Sequence, residues 1–465
     1  MTSSKSVENL LDGVKPNPFM IRVWVLCGLI LLFDGYDLTV ISFIAPELVK
    51  EFGFDKSLLG ALFASSLVGF ALAGPLLGLI GDRYGRKSTI ILSCLLFGVA
   101  TLAMMLTTTI SGMIVCRFIV GLGLGGALPT TTAMIAEFAP KGMRVRVLAL
   151  VSTAVPLGAM VPGLLTAALV PSYGWQILVI VGGVLPVFLA ICLIWAMPES
   201  IKYLALRPKS HARLAALLKR LASALPALEV GGVAKQSTRD NSPARLFSHG
   251  LAGITLLMWA SFFLNAMALY LVINWLPLVL QSQGMSVSQA GQYSALFAGG
   301  GLVGGFMIAA LISWMGVLLL PILFIVAVPF LVAFASFDLP HIGIILCVFI
   351  PGLSVGALQV ACVTISGLLY PTAIRASGIG WGLGVGRIGA IVGPFVGAAI
   401  LALQLPERQM ISFSAIPMAV GGIGAFILVI LCYRRFGSLQ VDELSPETPL
   451  ASVSSPTEQA SNFSH

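Results

Sequence analysis

Charge is scarce in this chain: Asp, Glu, Lys and Arg together make up 9% of 465 residues, with only four His. The sequence has no Walker-type phosphate loop, no metal-ligand cluster and no Ser-His pair inside an apolar stretch. ATP-driven, metal-dependent and hydrolytic chemistry therefore have no residues to carry them, and neither enzyme activity, a cofactor nor a metal is expected. No soluble basic domain is present to hold nucleic acid, because the net charge of +8 is spread over short polar segments. The seven Cys (27, 94, 116, 192, 347, 362 and 432) lie in or beside apolar stretches without paired spacing, which suits packing better than disulfides. Residues 1–18 end in no A-x-A-like site, so no cleaved signal peptide is expected.

What fills the chain is apolar: 58% hydrophobic residues and a mean hydropathy of +1.01 exclude a soluble surface. Windows of membrane-spanning length fall near 23–46, 57–80, 88–107, 110–136, 147–170, 175–197, 251–280, 287–312, 317–337, 342–366, 376–402 and 410–433. Basic residues concentrate before the first window and in the even-numbered loops, while odd-numbered loops hold only Lys50, Lys56 and Arg408. The positive-inside rule then predicts two cytoplasmic termini.

A constant shift of 231 residues superposes Pro140 on Pro371, Arg144 on Arg375, Gly121 on Gly352 and Gly158 on Gly389. The sequence therefore predicts an all-α membrane protein of twelve spans in two parallel six-helix halves, 23–197 and 251–434. A cytoplasmic start (1–22), a linker (198–250) and a disordered tail (435–465) complete it. In the linker, Leu214, Leu217, Leu218, Leu221 and Leu225 recur at helical spacing, which suits an amphipathic helix on the inner leaflet or a solvated linker helix.

Only four ionisable residues lie deep in the windows: Asp34, Asp37, Arg117 and Arg387. A charge at mid-bilayer costs about 2.5–3.5 kcal/mol on insertion scales, so each is expected to face a cavity or a partner. Asp34 and Asp37 share a helix face, and two carboxylates in low dielectric do not both ionise easily, which makes them a candidate proton carrier. The competing reading is a permanent structural pair with Arg117. Arg387 has no acidic residue of its own half at membrane depth, so a substrate carboxylate is a candidate partner, with backbone carbonyls as the alternative. Gly121, Gly123 and Gly126 satisfy GxGxxG, but no strand precedes them, and close helix packing explains them better.

The hairpin Gly81-Asp82-Arg83-Tyr84-Gly85-Arg86-Lys87 resembles the signature loop of the major facilitator superfamily. Within that superfamily, Asp34-Gly35-Tyr36-Asp37, Tyr370–Arg375 and Gly384–Gly389 are similar to motifs of the aromatic acid:H+ symporter family. The resemblance implies a gating latch of Asp82, Arg83, Arg86 and Glu137, with Asp82 at the amino end of span eleven and Arg86 paired with Glu137. It also implies that Arg117 is linked to proton transfer. Ser313-Trp314-Met315-Gly316 keeps the glycine of the second-half counterpart and loses its charges, so any such latch is one-sided. Tyr36, Asn265, Tyr270, Trp275, Gln359 and Trp381 are candidate contacts for an aromatic ring and its hydroxyls. The function implied is import of an aromatic carboxylate of benzoate, hydroxybenzoate or lignin-derived type with protons, by a monomer embedded in lipid. The alternative is a proton-coupled exporter of drugs or other organic anions.

Overall fold

The computed structural model describes residues 15–436, apart from 208–209, 222–245, 248–249 and 372–373, with the side chains of residues 75, 76, 79, 82, 309 and 436 also excluded. Leu225 and the tail beyond 436 lie outside the described residues. Every regular element among them is helical. The first part of the chain forms α1 (Pro18–Phe52), α2 (Leu59–Tyr84), α3 (Arg86–Ala103), α4 (Ile110–Phe138), α5 (Arg144–Ser152), α6 (Ala154–Tyr173) and α7 (Gln176–Ala196). Two short helices, α8 (Ile201–Ala205) and α9 (His211–Leu221), follow. The remainder forms α10 (Ala252–Ser282), α11 (Val287–Met315), α12 (Leu319–Ser336), α13 (His341–Leu369), α14 (Arg375–Ala402), α15 (Gln409–Phe413) and α16 (Ala415–Phe436). Eleven helical stretches among the described residues are long and apolar enough to cross a membrane.

Local chemistry sets the ends. The Asn17 side chain accepts from the Met20 amide and Pro18 opens α1, while Gly53 at φ 66° closes it in the left-handed region. Two expected spans are each split in two, at Thr153 and at Ser414. Pro156 and Pro417 sit just beyond the breaks and remove the amides that the carbonyls of Ser152 and Phe413 would otherwise meet.

The sequence repeat is a repeat of packing. In the first half α2 packs on α4, α1 on α6, and α3 on both α4 and α7. In the second half α11 packs on α13, α10 on α14, and α12 on both α13 and α16, the same pairs one shift along. Gly121 lies against the Ser66 carbonyl and Gly158 against the Leu32 carbonyl; their counterparts Gly352 and Gly389 lie against those of Phe297 and Phe263. A Cβ at any of the four would enter a neighbouring backbone, so these helices meet backbone to backbone.

The halves touch along α6–α11, α2–α14 and α1–α10. We call the end of the bundle where α1 begins and α16 finishes proximal and the other end distal. The seams are related by the same shift: Gly60 meets Pro394 and Ala398, and Gly291 meets Gly163 and Ala167. Between α1 and α10, Ser42 donates to Asn274 Oδ1 at 3.2 Å, and Lys50 donates to Gln281, its own counterpart in the repeat. A contact between counterparts is what a two-fold axis running between two helices produces. Lys56 pairs with Glu407 and Ser288 donates to the Ala167 carbonyl at 2.9 Å, both across the distal end.

The amphipathic helix α9 requires a correction. Leu214, Leu217, Leu218 and Leu221 are buried in the same apolar cluster as Met20, Val23, Phe138 and Leu204, so its leucine face meets protein rather than lipid or water. Asn17 Nδ2 donates to the carbonyl of Leu221 at 2.7 Å, capping the last turn and fastening it to the start of α1.

Candidate functional site

The four deep charges fall into two clusters. In the first, Arg117 of α4 and Asp37 of α1 form an ion pair at 2.6 Å, both almost wholly buried. Arg117 also donates to the Asp37 carbonyl at 3.3 Å and to Ser66 Oγ at 3.1 Å, while its Nε has no partner. Taking two charges out of water is repaid only when geometry and added hydrogen bonds are good, which Ser66 and the carbonyl help to supply.

The second cluster joins the halves. Arg387 of α14 lies over the Phe70 ring of α2, 3.9 Å from its centroid, in a cation–π contact. The Tyr270 hydroxyl of α10 and the Asp34 carboxylate of α1 lie within electrostatic range of it. Asp34 is 4% exposed, and its Oδ1 accepts no hydrogen bond. Leu67, Ala266 and Ala390 pack with Tyr270 and Ile391 beside it. Arg387, Phe70 and Tyr270 are each partly exposed rather than buried.

Asp37 takes Arg117 as its partner, the pairing that the sequence offered for the two aspartates, and Asp34 makes no ion pair with it. One expectation changes. Arg387 lacks an acid in its own half, as expected, but the other half supplies Asp34.

Among the expected ring contacts, Asn265 donates to Gln359 Oε1 at 3.3 Å, and its buried Oδ1 has no partner. Asn265 is the counterpart of Asp34 in the repeat. Three other residues have different uses. The Tyr36 hydroxyl donates to the Leu178 carbonyl at 2.7 Å inside the first half. Trp275 is fully buried, donates to the Pro394 carbonyl at 3.2 Å and meets Phe63 edge-on at 5.2 Å. Trp381 is 45% exposed and stacks on Trp259 at 6.0 Å. A separate cleft of about 620 Å³ at the distal end, lined by Glu47, Glu51, Trp175, Gln176, Ser286 and Ser288, lies away from both charge clusters.

At the proximal end Arg86 pairs with Glu137, whose other oxygen accepts from Ser200 Oγ at 2.6 Å. Glu199 Oε1 accepts from the amides of Lys87 at 3.1 Å and Ser200 at 2.9 Å. The Arg83 guanidinium lies over Tyr84, and its carbonyl accepts from Arg207. The Asp82 side chain lies outside the described residues. Glu199 was missed in the sequence, although its place one residue before a helix-capping Ser200, at the end of a span, was a usable signal.

The family model of the Major Facilitator Superfamily matches residues 27–394. The chain belongs to the major facilitator superfamily. It is a multi-pass inner-membrane transporter, not an enzyme. Among superfamily relatives, the 4-hydroxybenzoate transporter PcaK of Pseudomonas aeruginosa is 31% identical over 419 residues, covering 89% of this chain and 93% of its own. The gallate transporter of Pseudomonas putida is 31% identical over 411 residues, covering 87% and 92%. The crystal structure of the D-xylose-proton symporter shares the fold with a TM-score of 0.69 at 18% identity, covering 88% of this chain and 97% of that one.

Proposed function

We propose that this superfamily member imports a small aromatic carboxylate together with protons by alternating access, as a monomer of twelve spans with both termini cytoplasmic. The observation that carries this reading is Arg387, a partly exposed guanidinium on an aromatic ring between the two halves. Such a group offers a carboxylate two parallel donors, and the neighbouring Phe70 and Tyr270 suit an aromatic ring. Relatives named for 4-hydroxybenzoate and gallate support the substrate class.

The electrical argument supports coupling. Bringing an anion into a cell that is negative inside costs about 2.3 kcal/mol per 100 mV, which one accompanying proton removes. Asp34, Asp37 and Arg117 are the groups placed to hold that proton or respond to it. With the distal seams in contact and Arg387 partly exposed, we read this conformation as open toward the cytoplasm. On that reading the Arg86–Glu137–Ser200 network and Asp82 form the one-sided latch, and the linker strap of α9 belongs to the first half.

Proteoliposomes holding the purified protein test this with labelled 4-hydroxybenzoate and an inward proton gradient. Accumulation that collapses with an uncoupler is the expected result. Uptake indifferent to the gradient would remove the proton from the cycle.

A further inference from the structure

We propose that Asn265 and Gln359 form a subsite for a ring hydroxyl of the substrate, so that the protein selects hydroxylated aromatic acids over unsubstituted ones. This rests on the carboxylate reading of Arg387 given above.

A side-chain amide inside an apolar bundle is costly unless its donors and acceptors are matched. Asn265, near the middle of α10, is 1% exposed, and only one side of it is matched. Its Nδ2 donates to Gln359 Oε1 of α13 at 3.3 Å, while its Oδ1 accepts nothing. Gln359 is partly exposed, and that bond is the one hydrogen bond of its side chain among the described residues. Fastening α10 to α13 accounts for the bond between the amides. It does not account for the buried acceptor left open, which a ligand with a donor would satisfy.

The chemistry left over is that of a hydroxyl. One amide–amide bond uses one donor and one acceptor, so the pair keeps an acceptor on one residue and a donor on the other. Turning both amides over exchanges the roles of Asn265 and Gln359 and leaves the same two groups. A phenolic hydroxyl donates to the first and accepts from the second, whereas a carboxylate only accepts and a ring C–H does neither. The repeat points the same way. Asn265 stands where the first half has Asp34, and an amide meets a neutral polar group without the desolvation cost of a charge.

The depth suits a molecule held at Arg387. Gly386 and Gly389, on either side of Arg387 in α14, lie against Phe262 and Phe263 of α10, so Arg387 leaves its helix within about one turn of the level of Asn265. Ala266, next to Asn265, packs with Leu67 of the first half and Ala390 of α14. The guanidinium and the amide pair therefore flank α10 at a similar depth, one from α14 and the other from α13, beside the junction of the halves. An aromatic ring joins a carboxylate at the first to a hydroxyl at the second.

The test is isothermal titration of benzoate, 3-hydroxybenzoate and 4-hydroxybenzoate into the purified wild type, Asn265→Leu and Gln359→Leu. Leucine keeps much of the volume and removes the amide. For wild type, the better hydroxybenzoate should bind about 10- to 100-fold tighter than benzoate, because benzoate leaves the buried acceptor unpaired. In each variant that ratio should fall to near one. Wild type that binds benzoate as tightly as both hydroxybenzoates would overturn the inference. So would variants in which all three acids weaken together at the wild-type ratio, the behaviour of a pair that only fastens two helices. Gln359→Leu changes a partly exposed position and carries the comparison if Asn265→Leu does not fold. Wild type that binds none of the three acids would overturn the carboxylate reading of Arg387, and this subsite with it.

Discussion

At the residue scale, the proposed function gathers on a few side chains whose partners come from far along the chain. Arg387→Lys keeps the charge and loses the planar pair of donors. A charge-assisted hydrogen bond contributes about 1.5–3 kcal/mol, so acid affinity should fall roughly 10- to 100-fold, as read by isothermal titration. Asp37→Asn leaves Arg117 buried and uncompensated. That costs about 3–5 kcal/mol, and the variant should show a lower melting temperature in detergent as well as lost accumulation. The presence of Asp34, Asp37, Arg117 and Arg387 at membrane depth was legible from their isolation among apolar residues. The cross-half approach of Asp34 to Arg387 was not, because those positions belong to different helices of different halves. Reading each half for its own balance hid it. Tyr36 and Trp275 misled for another reason: an aromatic side chain with a polar tip looks alike in a sequence whether it meets a substrate or a backbone carbonyl.

At the element scale, each half is assembled through backbone contacts that glycine permits. Gly158→Val and Gly389→Val place carbon against the Leu32 and Phe263 carbonyls in equivalent seams. Each should destabilise its half by at least about 1–3 kcal/mol, seen as lower thermal stability and reduced yield. Helix positions followed directly from hydropathy, and the glycine matches revealed the repeat. The splits at Thr153 and Ser414 are local effects of Pro156 and Pro417 that a hydropathy window averages away. The leucine face of α9 showed that something apolar covers it, but periodicity alone does not distinguish lipid from a neighbouring helix. Leu217→Glu should therefore weaken its attachment to the first half, measured as faster proteolysis of the linker, without requiring a change in lipid affinity.

At the scale of the whole molecule, the halves meet through two seams that mirror one another, at Gly60 with Ala398 and at Gly291 with Gly163. A Cβ at Gly60 would lie 2.6 Å from that of Ala398, and one at Gly291 would lie 2.6 Å from the Gly163 carbonyl. Gly60→Val or Gly291→Val should wedge the distal end apart and shift the population toward the opposite conformation. Glu407→Gln, which removes the ion pair with Lys56, should shift it the same way by a smaller amount. Labelling rates of single cysteines introduced at each end would measure both.

The backbone contacts at Gly158 and Gly389 also decide where the molecule bends. Helices that touch without an intervening layer of side chains have little to compress, so each half acts as a stiff lever. On the alternating-access reading, a gap opened by breaking Lys56 from Glu407 would be delivered to the far end as closure, instead of being absorbed on the way.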